Sequence, residues 1–128
     1  GCFTVSFPRP DQILITSLAA APRREDDQKH ALSAIPTIAA SAVDGVLVED
    51  AYLHLECELD RIVDGFGENS LVVGQIVEAA VAEDSVRRLD RDGQDLIHDA
   101  PLLAYLQPWR FAAIQQTFRF PLPDGFER

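Results

Sequence analysis

Hydrophobic and polar residues alternate from the start of the chain. Phe3, Val5 and Phe7 fall on one face and Cys2, Thr4 and Ser6 on the other, which predicts a half-buried β-strand ended by Pro8 and Pro10. Over residues 11–21 the spacing becomes helical, with an acidic residue in the first turn and an apolar stripe of Leu14, Ile15, Leu18 and Ala19 before Pro22. Residues 23–33 are charge-rich and then turn apolar at Ala31 and Leu32, a pattern open to a second short helix or an exposed loop. Small and β-branched residues interrupted by Pro36 and Gly45 make 35–48 a run of short extended pieces.

The sharpest pattern is at 53–60. Leu53, Leu55, Cys57 and Leu59 point inward and His54, Glu56, Glu58 and Asp60 outward, the signature of an antiparallel strand with one wet face. A turn-rich segment around Gly65-Phe66-Gly67 follows, then 70–81, apolar on both faces and rich in Val and Ile. The two strands are expected to pair as a long hairpin. Residues 84–95 read as a loop or helical turn, 101–106 as a short apolar turn of helix, and Phe118, Phe120 and Leu122 as a last extended segment. The whole predicts a mainly β, single-domain chain over 1–128: an antiparallel barrel or meander of about five strands with short helices between them. So few strands leave edges that must be covered by association or by another segment.

Composition narrows the function. Of 128 residues, 47% are hydrophobic and 25% charged, which excludes a disordered chain. The net charge of -10 repels phosphate backbones, so nucleic acid is an unsuitable partner. No apolar run approaches the roughly 20 residues of a membrane-spanning helix. Two cysteines, Cys2 and Cys57, and no signal peptide point to a reducing cytoplasm without a structural disulfide. The sequence contains no Met and opens at Gly1 with strand-like alternation already under way. It is expected to have lost its start.

Candidate chemistry is sparse. His54, Glu56 and Glu58 stand at i, i+2 and i+4 on one strand face, within reach of a shared metal, but zinc-type spacings are absent and a solvated face is the better reading. His30 and His98 have no spaced partners. No Gly-x-Ser-x-Gly elbow occurs, and the Gly65–Gly67 glycines join two strands rather than opening a phosphate-binding helix. The segment Gln107-Pro108-Trp109-Arg110-Phe111 is more informative: two aromatics and an arginine can stack on a planar ligand and meet a phosphate. The competing reading puts Trp109 and Phe111 in the core under the last strand. Lys29, the only lysine, sits among Asp26, Asp27 and His30, where a solvated charge run is the plain explanation.

Several segments together resemble the later part of the flavin reductase-like family, whose fold is the FMN-binding split barrel. They are Cys2-Phe3-Thr4-Val5-Ser6, the acidic stretch around Asp27 and Lys29, Leu55-Glu56-Cys57 against a Leu-Glu-Cys strand, and Gly67-Glu68-Asn69 near a Gly-Asp-His. Val73-Gly74-Gln75-Ile76-Val77 is similar to a Gly-Glu-Val strand, and Pro101-Leu102-Leu103-Ala104-Tyr105 and Arg110-Phe111-Ala112 are similar to Pro-Leu-x-Tyr and Arg-Tyr-Ala elements. Asn69 replaces a histidine that the resemblance places near flavin and nicotinamide, which removes a charged role but keeps hydrogen bonding. Phe111 replaces a tyrosine. The family's N-terminal strands, which carry much of the flavin contact, have no counterpart before Gly1, which implies either a fragment or a degenerate member.

The resemblance implies an FMN-dependent reductase that takes hydride from NAD(P)H and passes electrons to flavin or onward to an acceptor. It also implies a homodimer with the flavin near the subunit interface. Asn69, Trp109, Arg110 and Phe111 would face the ligand, with Lys29 more distant. Two other readings stay open: a non-catalytic binding module for another flavin, haem or a deazaflavin, and an interaction domain without a small ligand.

Overall fold

A computed structural model describes residues 1–20, 30–86, 90, 92–106, 109–118, 120, 121, 123 and 125. In chain order these form β1 (Cys2–Phe7), α1 (Ile13–Ser17), β2 (Thr37–Ala39), β3 (Val46–Val48), β4 (Leu53–Phe66), β5 (Asn69–Val81), α2 (Gly93–Asp99), β6 (Leu102–Leu106) and β7 (Arg110–Ile114), with single 3-10 turns between several of them. All pairings are antiparallel: a β1-β4-β5 sheet and the two-stranded ribbons β2-β3 and β6-β7. The mainly β expectation holds.

The predicted long hairpin is β4-β5. It turns at Gly67 and Glu68, and the positive φ of Gly65 (108°) and Gly67 (69°) is the conformation that only glycine adopts without strain. Register shifts after Glu56 and Leu59 each leave one residue unpaired, Val77 and Asp60, and the shift after Val63 leaves Asp64, Gly65 and Ser70 out of the ladder; such irregularities add local twist. That curvature carries a two-stranded ribbon towards barrel closure.

The expectation of a wet face on β4 fails at Glu56, which is only 3% exposed, and in part at half-buried His54. The chain between β2 and β4 lies over that face and converts its polar side chains into anchors. Cys2 Sγ donates to the Asp44 carbonyl, Thr4 Oγ1 donates to the Val46 carbonyl at 2.6 Å, and the Val48 N–H donates to Ser6 Oγ at 3.0 Å. Glu56 Oε1 accepts from the Ser41 N–H and hydroxyl, each at 2.9 Å, and Oε2 accepts from the Ala42 and Val43 N–H groups at 2.6 and 3.1 Å. The period of two is real, but both faces of the sheet are covered here.

Three further expectations change. Residues 101–106 are not a helical turn: Leu102–Leu106 is strand β6, because Arg110–Ile114 supplies a ladder for it, Leu102 opposite Ile114 through Leu106 opposite Arg110. The helix lies earlier, at Gly93–Asp99, where Asp92 caps its start by accepting from the Gln94 N–H. The last strand is β7 rather than a segment through Phe118 and Phe120, both of which are exposed and outside any strand; Leu122 falls outside the described residues. The 11–21 helix contracts to α1, flanked by 3-10 turns, with Leu14 turned 82% to solvent; Ala21 falls outside the described residues.

Among the described residues, the buried apolar side chains are few and mostly small: Ile35, Leu47, Ala51, Cys57 and Ala100. The far end of the β4-β5 hairpin exposes Ile62, Phe66, Leu71, Val72 and Ile76. Cys2 and Cys57 are both free. No helix among the described residues is long and apolar enough to cross a membrane.

Candidate functional site

A hollow of about 730 Å³ opens between β1, α1, β3 and β6. The polar side of β1 contributes Thr4 and Ser6 to its lining, and β3 contributes Val46 and Val48, whose backbone those two side chains bond. Ile13, Thr16 and Ser17 of α1 form one wall, and Leu103 and Tyr105 of β6 form the opposite one. Alternation on β6 explains why Leu103 and Tyr105 act together, since i and i+2 share a face.

Trp109 stands at the mouth. It occupies the turn between β6 and β7 with φ of +58° and is 91% exposed. A bulky residue in the left-handed region costs about 1–3 kcal/mol and persists where function or surrounding structure demands it. The core reading of Trp109 is thereby corrected: the turn lifts the indole off the core and sets it over the cavity. Replacing it with glycine should relieve the strain, so Trp109→Gly is expected to raise stability in chemical denaturation by about 1 kcal/mol while removing the aromatic surface.

None of the described lining residues is charged, and the four Ser and Thr hydroxyls among them each have a partner. Thr16 Oγ1 donates to the Gln12 carbonyl at 2.8 Å and Ser17 Oγ to the Leu14 carbonyl at 2.7 Å, while Thr4 reaches Val46 as above. Ser6 Oγ lies 3.2 Å from His54 Nδ1, its cross-strand neighbour. Ser6 Oγ also accepts from the Val48 N–H, and its second lone pair and its own proton leave it able either to accept from or to donate to Nδ1, according to the imidazole tautomer. Burial pushes the His54 imidazole below its ordinary range, against an opposing pull from Glu56. The Glu56 carboxyl is held below its ordinary range by the backbone N–H groups of Ser41 and Ala42, with burial acting the other way.

The remaining sequence candidates are dispersed. Asn69 lines a separate, smaller hollow of about 280 Å³ with Phe66, Ser70 and Leu71 at the hairpin end. Arg110 and Phe111 follow Trp109 into β7 and are exposed, Phe111 opposite Tyr105 in the ladder. Lys29 lies outside the described residues. His54, Glu56 and Glu58 do not form a metal site: Glu56 is taken up by the 41–43 backbone, and no cluster of three His, Cys, Asp or Glu suited to a metal occurs among the described residues. Sequence reasoning missed Ser6, Tyr105 and His54 as one group. The polar side of β1 was the available signal.

A family model described as "Flavin reductase like domain" matches residues 1–106. Among solved structures, the chain superposes on the 2-nitrobenzoate 2-nitroreductase of Pseudomonas fluorescens with a TM-score of 0.73 at 17% identity, covering 99% of this chain and 62% of that one. It superposes on the flavoredoxin of Desulfovibrio vulgaris (Miyazaki F) with a TM-score of 0.68 at 17% identity, covering 98% and 66%. For the FMN-binding protein of Thermus thermophilus with bound p-hydroxybenzaldehyde the values are 0.66 and 24%, covering 94% and 61%. The chain thus spans less than two thirds of the length of these structures, and the likeness shows a shared split-barrel fold. No curated protein matches the chain.

Proposed function

The chain belongs to the flavin reductase like domain family, and from that premise we propose that it binds FMN and works as a reductase drawing hydride from NAD(P)H. The observation that carries this reading is the apolar cavity of about 730 Å³ with Trp109 over its mouth. Ligand cavities for planar, drug-sized molecules run from roughly 300 to 1,000 Å³ and are mostly apolar. The residues present fit the flavin ring: Tyr105 and Trp109 offer aromatic faces, Ile13, Val46, Val48 and Leu103 offer apolar contact, and no described lining residue adds a charge. For the phosphate, Arg110 follows Trp109 directly in the chain and is exposed.

When bound, the flavin supplies the hydride chemistry at its ring nitrogen. The chain's contribution is to position the ring between β1 and β6, to exclude water with the aliphatic walls, and to close the mouth with the indole. Because Trp109 is the only tryptophan, titration with FMN should quench its fluorescence to saturation. Unquenched emission together with no NAD(P)H oxidation would overturn the reading. Flavin capture without NAD(P)H oxidation would instead favour a non-catalytic binding module.

The exposed apolar hairpin supports a homodimer. A surface rich in Ile62, Phe66, Leu71 and Ile76 is the type that association covers. Sedimentation equilibrium should therefore return twice the chain mass, and Phe66→Glu should shift it to the monomer. A reducing cytoplasm suits two free thiols.

A further inference from the structure

We propose that Ser6 and His54 form a proton relay into the cavity, in which the Ser6 hydroxyl touches the bound ligand and His54 is the proton reservoir behind it. The inference rests on the flavin reading above and adds the source of the proton that accompanies hydride.

The geometry has three parts. Ser6 lines the cavity, whereas His54, its half-buried cross-strand partner on β4, is not among the lining residues and meets Ser6 Oγ at 3.2 Å. The Val48 N–H pins Ser6 Oγ from β3 at 3.0 Å, so the hydroxyl has one fixed donor and swings its own proton between two directions, His54 Nδ1 and the cavity. The Thr4, Thr16 and Ser17 hydroxyls that also line the cavity donate to backbone carbonyls, which have no proton to return. Of these four Ser and Thr side chains, Ser6 is the one backed by a group that titrates near neutrality.

The step balances as follows. With His54 protonated on both nitrogens, Nδ1–H donates to Ser6 Oγ, and the Ser6 O–H points into the cavity. Hydride brings an electron pair to the acceptor and leaves the nicotinamide as NAD(P)⁺. Ser6 passes its proton to the acceptor, His54 Nδ1–H replaces it on Ser6 Oγ, and the imidazole ends neutral with its proton on Nε2. That final state keeps the 3.2 Å contact between Ser6 Oγ and His54 Nδ1. Solvent then recharges His54.

The charge environment of His54 is simple. Glu56 stands beside it on β4 and favours the imidazolium, and Glu78 of β5 is paired opposite Glu56. On this face β1 presents Cys2, Thr4 and Ser6, and β3 brings Val46 and Val48. Burial outweighs the Glu56 attraction, so the donating form declines as pH rises through a value below the ordinary 6.5.

The test uses FMN as the probe on the full chain. The rate of flavin reduction in a single turnover should be highest on the acid side and fall with rising pH, and the imidazole resonances of His54 should titrate over the same range. Ser6→Ala should lower the rate by roughly 100-fold and flatten its pH dependence. FMN affinity, read by Trp109 quenching, should change little. Ser6→Thr, which keeps a hydroxyl, should restore the pH profile, and His54→Gln, which preserves a partner for Ser6, should flatten it. FMN that binds and is reduced with the same pH profile in wild type, Ser6→Ala and His54→Gln overturns the relay alone. Failure of FMN to bind the wild type overturns the flavin reading and the relay with it.

Discussion

Glu56→Ala should lower the melting temperature by roughly 10 °C, a loss of the size that follows when several interdependent hydrogen bonds are removed from a domain of this length. The carboxylate is the single acceptor for four donors from Ser41, Ala42 and Val43, and it is 3% exposed. Removing it strands three backbone N–H groups with no partner on the strand they cover. Gln is expected to fall between wild type and Ala. Its carbonyl can serve one side of the clamp, but its amide group sets donors against donors on the other. The damage should reach the cavity, because the segment held by Glu56 leads directly into β3, whose Val46 and Val48 line it. Thermal unfolding of Glu56→Ala and Glu56→Gln, paired with FMN titration, measures both effects, and an unchanged melting temperature in both variants would contradict the clamp.

The same carboxylate sets an acid limit. Its folded pKa is depressed below the ordinary 4.5 by the Ser41 and Ala42 N–H groups, so the folded state holds the anion in preference to the unfolded chain. The stabilisation is therefore complete above about pH 5 and is lost as pH falls through 4.5 towards the folded value. Asp84, depressed by its hydrogen bond with Arg9 at 2.8 Å, acts in the same direction. It is an exposed pair, so salt screens it. Urea midpoints should decline with acid below about pH 5 in wild type and decline less in Glu56→Gln.

Glu56 also shows where the sequence stops being informative. The alternation at 53–60 correctly makes a strand and correctly separates two faces, but alternation carries no information on which face is wet. That is decided by residues 41–44, which have no periodicity of their own and are placed by the hydrogen bonds they make to β1 and β4. The β4-β5 hairpin was legible because its glycines and its pattern are local. Strand β6 was not, since Leu102–Leu106 reads equally well as a helical turn until β7 supplies its ladder. For the site, Trp109 was legible as an aromatic beside an arginine, yet its position outside the core depends on the positive φ of one turn residue. The pairing of Ser6 with His54 depends on a β1-β4 register spanning 48 residues of chain. No spacing rule within either strand encodes it.

Gly74→Ala should cost about 3 kcal/mol or more, at the upper end of what overpacking normally costs. Gly74 lies on β5 with an ordinary strand conformation, so the argument is space and not φ. A Cβ there would lie 2.5 Å from Phe3 Cε1, 2.8 Å from Phe3 Cζ and 2.6 Å from the backbone carbonyl oxygen of Glu58. The ring of Phe3, carried by β1 opposite Cys57, therefore reaches across β4 and rests on the bare backbone of β5. This contact ties all three strands of the sheet together and fixes the orientation of β1, whose other face carries Thr4 and Ser6 into the cavity. The two clashes differ in kind: the ring can move, but the Glu58 carbonyl belongs to the β4-β5 ladder and cannot. Shrinking the ring should accordingly rescue only part of the loss. In chemical denaturation, Phe3→Leu combined with Gly74→Ala should be less destabilised than the sum of the two single variants, yet remain below Phe3→Leu alone. Strict additivity would show that the ring does not rest on Gly74. Full rescue would show that the carbonyl is free to move and that β5 is not held as tightly as the ladder indicates.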